Sequence, residues 1–212
     1  MTLESAFPWI SAAAALAAGF AAPGGRSGRA LKATALAALA LYAYFRWITP
    51  SAVPMALACQ ALAQAAAPRA PQRWRRVALI PAVLGWLILA NLYRSTGDGP
   101  GVFVGDGIKA ALLATLVIGA GYGLRRAWRW RPRPRPGVAL EAGSLVLMAI
   151  LSLTLDWDFW PVIAGALAVL AAFALALYAS RRPEAEAPPA LLRAVWALAY
   201  LGQAAMAYAF LR

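Results

Sequence analysis

Eight apolar blocks run through this sequence, cut apart by proline, glycine and arginine clusters and, between the sixth and seventh, by Asp156-Trp157-Asp158. They occupy residues 8–22, 30–48, 52–67, 77–93, 107–124, 137–155, 159–180 and 189–211. A helix needs about 20 residues, at about 1.5 Å each, to cross the hydrocarbon core of a bilayer. Several blocks are shorter, which a thin or locally compressed bilayer tolerates. The third is the least regular, because Gln60 and Gln64 interrupt it. Lipid leaves no partner for an open sheet edge, and these Ala/Leu runs lack the alternating polarity of a membrane barrel. The expected fold is therefore all-α: a polytopic transmembrane helix bundle of about eight spans, forming one integral membrane domain over residues 1–212.

The connections carry the orientation. Pro23-Gly24-Gly25, Thr49-Pro50, residues 68–72, 97–101 and 132–137 have loop chemistry, and the Arg-Pro alternation at 131–136 cannot be helical. Sixteen of the twenty basic residues fall in alternate connections. Arg26, Arg29 and Lys32 lie at the first, and Arg69, Arg73, Arg75 and Arg76 at the third. The fifth holds Arg125, Arg126, Arg129, Arg131, Arg133 and Arg135, and the seventh Arg181, Arg182 and Arg193. The opposite side has only Arg46, Arg94, Lys109 and Arg212. Positive charge stays inside, so the odd connections are expected to be cytoplasmic and both termini non-cytoplasmic. Trp9, Trp47, Trp74, Trp128, Trp130, Trp157 and Trp160 lie near block ends, where amphipathic rings anchor at headgroup level.

Composition removes other classes. Charged residues make up 13% of the chain and hydrophobic ones 63%, where a soluble domain carries about a quarter charged. A net charge of +12 suits nucleic acid in principle, but the charges edge hydrophobic runs and form no separate polar face. No nucleic-acid partner is expected. Cys59 is the sole cysteine and histidine is absent, so disulfides, metal sites and Ser-His-Asp chemistry lack their residues. No cofactor is expected. Glu4 and the lack of Lys or Arg ahead of the first block favour a retained helix over a secretory leader.

Polar groups inside spans are expensive and often mark function. Gln60 and Gln64 share a helix face at i and i+4, as do Tyr200 and Gln203 at i and i+3. Asn91 and Tyr93 close the fourth block, and Glu141 lies one turn into the sixth. Two readings are open: a shared polar pocket, or ordinary interhelical hydrogen bonding. Glu141 is the one acid placed within a span, available as a proton donor or as a partner for Arg135. Gly105-Asp106 with Lys109 approaches the Gly-x-Gly-Asp box of intramembrane aspartyl proteases. Phe103 replaces its first glycine, and the facing aspartate is missing, since Asp156 and Asp158 read as loop residues. No internal repeat of the transporter kind is evident.

The order of features resembles the lysoplasmalogenase family of YhhN-like membrane proteins. The likeness rests on Lys32-Ala33-Thr34 in the second block and Cys59-Gln60-Ala61-Leu62-Ala63-Gln64 followed by Pro68 and Arg69. It continues through Asn91-Leu92-Tyr93, the run Gly137 to Met148 with Glu141, and Gly165-Ala166-Leu167. It ends on Trp196 and Tyr200-Leu201-Gly202-Gln203. The resemblance implies eight helices and hydrolysis of the vinyl-ether bond of lysoplasmalogen-type lipids. That reaction protonates the enol-ether carbon and adds water to the resulting cation.

Against the family pattern, glutamine replaces the third-helix aspartate and alanine the seventh-helix one. The resemblance then leaves Glu141 as acid and Gln64 as the group orienting water, with Gln60, Asn91, Tyr93, Tyr200 and Gln203 binding substrate. The alternative is a non-catalytic lipid-binding or scaffold protein. Membrane lipid is the expected partner, with anionic headgroups at the arginine-rich loops. The Ala/Arg/Pro bias points to a GC-rich bacterial genome, hence to the inner (cytoplasmic) membrane.

Overall fold

The computed structural model describes residues 3–21, 26–46, 50–66, 72–128, 136–179 and 188–210. Among them, nine helices form and no strand does. They are α1 (Leu3–Phe20), α2 (Arg26–Phe45), α3 (Ala52–Ala66), α4 (Gln72–Thr96), the single turn α5 (Val102–Gly105), α6 (Gly107–Trp128), α7 (Pro136–Ser152), α8 (Trp160–Ala179) and α9 (Pro189–Ala209). A 3₁₀ turn, Trp157–Phe159, leads into α8. Each of the eight apolar blocks thus contributes one long helix among the described residues, and α5 is an addition within the fourth connection. Proline sits in the first turn of α3, α7, α8 and α9, where its missing N–H costs nothing and its fixed φ starts the helix.

Helices adjacent in sequence pack side by side from α1 to α4. The order then breaks: α4 lies along α7, and α6 stands outside that contact, touching α7 only slightly. α7 meets α8, α8 lies along α9, and α9 closes the arrangement against α1, α2 and α3. The larger core joins Leu39, Val53, Trp86, Tyr93, Met148, Val162 and Met206. A smaller one gathers Ala14, Ala15, Leu36, Ala61 and Trp196 from α1, α2, α3 and α9.

Contacts between helix ends define two poles. At one, Phe7 stacks on Phe45 at 5.6 Å, Tyr42 meets Tyr208 at 5.5 Å, and Phe210 packs between Tyr93 and Phe159. The start of α1 and the end of α9 therefore share a pole. At the other, the Lys32 ammonium lies 5.1 Å from the Trp196 ring and the Arg193 guanidinium 5.8 Å from Phe20.

Small residues let backbones approach. At Gly85 of α4, an added Cβ would fall 2.6 Å from Gln60 Nε2 and 3.0 Å from Ala56 O, so glycine is what permits α3 to lie this close. The outward surface is apolar: Leu16, Phe20, Met55, Leu62, Ile80, Ile118, Leu140 and Leu201 are all exposed. Three helical segments, Ala78–Thr96, Trp157–Ala179 and Pro189–Ala209, are long and apolar enough to cross a membrane. Of the expected anchor tryptophans, Trp9, Trp157 and Trp160 are exposed. Trp47 and Trp130 lie outside the described residues, as do the side chains of Trp74 and Trp128.

Candidate functional site

A small chamber with an apolar wall lies between α3, α4 and α9. Val53, Ala56, Leu57 and Gln60 line it from α3, Trp86 and Leu89 from α4, and Gln203, Met206 and Ala207 from α9. The space open to the centre of a water molecule is about 10 Å³, the lower limit for a single water.

Local geometry explains who reaches it. Gln60 is buried and donates its amide Nε2 to Ala82 O at 2.9 Å. That carbonyl lies one turn before Trp86, so the bond ties α3 to α4 at the chamber's edge. Trp86 is 4% exposed and Gln203 6%, and neither Trp86 Nε1 nor Gln203 Oε1 has a hydrogen-bond partner. Tyr93, on the same face as Trp86 two turns on, is fully buried and donates its hydroxyl to Met206 Sδ at 3.1 Å. Tyr93 itself does not line the chamber, but its acceptor Met206 does.

The other expected site residues lie elsewhere. Tyr200 turns toward α1, where its hydroxyl is 2.7 Å from Ser11 Oγ. Ser11 spends its single proton on Ala35 O at 2.8 Å, so Tyr200 is the donor of that pair. Trp196 Nε1 donates to Ala15 O at 3.0 Å beside it. Gln64 is half-buried and does not line the chamber. Asn91 is exposed on the outer face of α4. Glu141 is half-buried on α7, also away from the chamber, and Arg135, its expected partner, lies outside the described residues. The structure brings Gln60 and Gln203 together, sets Tyr93 beside them, and separates Gln64, Asn91, Glu141 and Tyr200.

Trp86 is the chamber residue that sequence reasoning missed. Its signal was position: it stands in mid-block, away from the ends where anchoring tryptophans sit.

A second polar cluster closes the pole opposite the Lys32–Trp196 pair. Asp106 Oδ1 accepts from the backbone N–H of Ile108 (3.0 Å) and of Lys109 (3.1 Å), capping α6, and Oδ2 accepts from Trp157 Nε1. The Lys109 N–H bond, with those from Trp157 and Ile108 and the nearby ammonium, holds the Asp106 carboxyl below its ordinary range. Lys109 is buried; its ammonium donates to Leu155 O at 2.6 Å and lies 5.3 Å from the Trp157 ring. Asp156 and Asp158 are exposed. Among the described residues, no group of acids or cysteine is arranged to hold a metal ion. The chain matches no family model, no curated protein and no solved structure.

Proposed function

We propose that this chain is an integral membrane protein crossing the bilayer eight times with both termini on the non-cytoplasmic side, and that it acts as a non-catalytic lipid-binding bundle. Its arginine-rich connections engage anionic headgroups, each basic residue contributing about 1 kcal/mol near the surface. The common pole of the start of α1 and the end of α9 supports an even number of crossings. The outward-facing leucines, isoleucines and phenylalanines suit a lipid surround.

The observation that carries the non-catalytic reading is the chamber. It is lined by no carboxylate, lysine, cysteine or histidine, its wall is apolar, and its volume of about 10 Å³ is far too small for a single-chain lipid. Protonating a vinyl ether needs an acid at the reacting carbon, and Glu141 stands elsewhere.

The lysoplasmalogenase-like reading keeps one support: Gln60 and Gln203, far apart in sequence, meet across that chamber. Purified protein in mixed micelles, given a lysoplasmalogen, is expected to release no fatty aldehyde. Anionic phospholipid is expected to stay bound in native mass spectra and to dissociate when Arg69, Arg73, Arg75 and Arg76 become glutamine. Aldehyde release that Glu141→Gln abolishes would restore the enzyme. The topology is checked in a Cys59→Ser background: a cysteine at Ser95 should react with an impermeant maleimide on intact cells, and one at Ser27 only after permeabilisation.

A further inference from the structure

Four of the eight long helices carry short apolar stretches: Ala6–Phe20 in α1, Ala52–Ala66 in α3, Gly107–Gly123 in α6 and Pro136–Ser152 in α7. The stretch in α3 has 15 residues and the one in α7 has 17. At about 1.5 Å per residue, stretches of this length rise about 22–26 Å, whereas the hydrocarbon core of a common bilayer measures about 30 Å. Each of the four presents an exposed apolar side chain: Leu16, Leu62, Ile118 and Leu140 respectively. Lipid therefore meets the short helices directly, and the longer ones do not screen them.

Residues at the rims give the same height independently. On α2, the Lys32 ammonium lies against the Trp196 ring, and the Arg46 guanidinium lies back over the Tyr42 ring at 5.5 Å. Those two charged positions are about 21 Å apart along the helix. Arg46 turns inward, so snorkelling does not extend the apolar belt there. On α9, Arg193 and Tyr208, both exposed, are about 22 Å apart. On α4, exposed Asn91 and Arg94 bring polar surface into the last two turns. The 20-residue α8 rises about 30 Å, and a tilt within the range of membrane helices fits it to the same slab.

We infer that the lipid-facing surface is matched to a hydrocarbon core of about 24 Å, so that its preferred partner is phospholipid with short acyl chains and an ordinary bilayer thins around it. This rests on the membrane-spanning reading and adds the thickness and the class of lipid. A span shorter than the bilayer is relieved by thinning, by snorkelling or by association, at a modest cost for each ångström of mismatch.

The test reconstitutes the full chain in phosphatidylcholine vesicles with monounsaturated chains of fourteen, eighteen or twenty-two carbons. An alkaline carbonate wash first separates the two claims. Protein that leaves the vesicles overturns the membrane-spanning reading, and the thickness with it; protein that stays puts only the thickness at issue. Competition of each lipid against a chain-brominated phosphatidylcholine, read from tryptophan quenching, then gives relative affinities. Affinity should be greatest for the fourteen-carbon chains and about threefold lower for the twenty-two-carbon chains. An optimum at eighteen or twenty-two carbons, or an affinity independent of chain length, overturns the inference.

Discussion

Gly165 of α8 and Gly202 of α9 lie against each other's backbone: a Cβ on Gly165 would fall 2.5 Å from Gly202 O, and one on Gly202 would fall 2.6 Å from Gly165 O. The crossing fixes α9 at the residue before Gln203, so it also sets the height at which Gln203 borders the chamber. Neither obstruction is a flexible side-chain tip, and relief requires the two helices to separate. Gly165→Ala and Gly202→Ala should each lower stability by about 1–3 kcal/mol. Thermal unfolding in detergent measures this, and an unchanged Tm in both variants would show that the helices separate readily.

The glycines of α6 should respond in the opposite direction. Gly119, Gly121 and Gly123 have nothing within 4 Å of an added Cβ. Alanine there gains helix propensity of about 0.5–1 kcal/mol per site without meeting a neighbour. Gly119→Ala and Gly121→Ala should leave Tm unchanged or raise it, whereas Gly85→Ala, which meets Gln60 and Ala56, should lower it.

Lys109 holds the start of α6 through a buried bond. Lys109→Met keeps the apolar stem and leaves Leu155 O without its donor, a loss of about 1–3 kcal/mol. Hydrogen exchange in the first turns of α6 should accelerate while exchange in α8 and α9 stays unchanged. Equal acceleration throughout would mean the bond supports the whole core.

The cap at Asp106 makes that attachment pH-dependent. Its carboxyl titrates below the ordinary carboxylate range in the folded chain. The contribution of the ionised cap is therefore complete above the ordinary range and disappears as pH falls through the lowered folded value. Trp157 fluorescence should report the loss under acid conditions, and Asp106→Asn should abolish that step while leaving the neutral-pH spectrum folded. A step that persists in Asp106→Asn would assign it to another acid.

The helices were legible because the apolar blocks end at proline, glycine or arginine, or, for the sixth, at Asp156. Which polar residues meet was less so, and helix geometry shows why. Gln60 and Gln203 stood out as amides in apolar runs, and both reached the chamber. Tyr200 and Gln203 are about 60° apart around α9, close enough to be read as one face. α9, however, contacts α1, α2, α3 and α8, and at such a junction 60° separates one neighbour from another. Asn91 and Tyr93 are about 160° apart around α4, so burying Tyr93 fully turns Asn91 outward. Lys109 counted as a loop charge because its acceptor, Leu155 O, lies 46 residues away. Ser11 was invisible in an alanine-rich run, where one hydroxyl leaves hydropathy nearly unchanged.

The direct packing of α4 on α7 has an architectural consequence. The other seven long helices already close on one another, so α5 and α6 form an excursion spliced into a ring that is complete without them. The chamber, bounded by α3, α4 and α9, has no wall residue from either α5 or α6. This peripheral hairpin is the segment most open to lengthening, tagging or replacement without disturbing the centre.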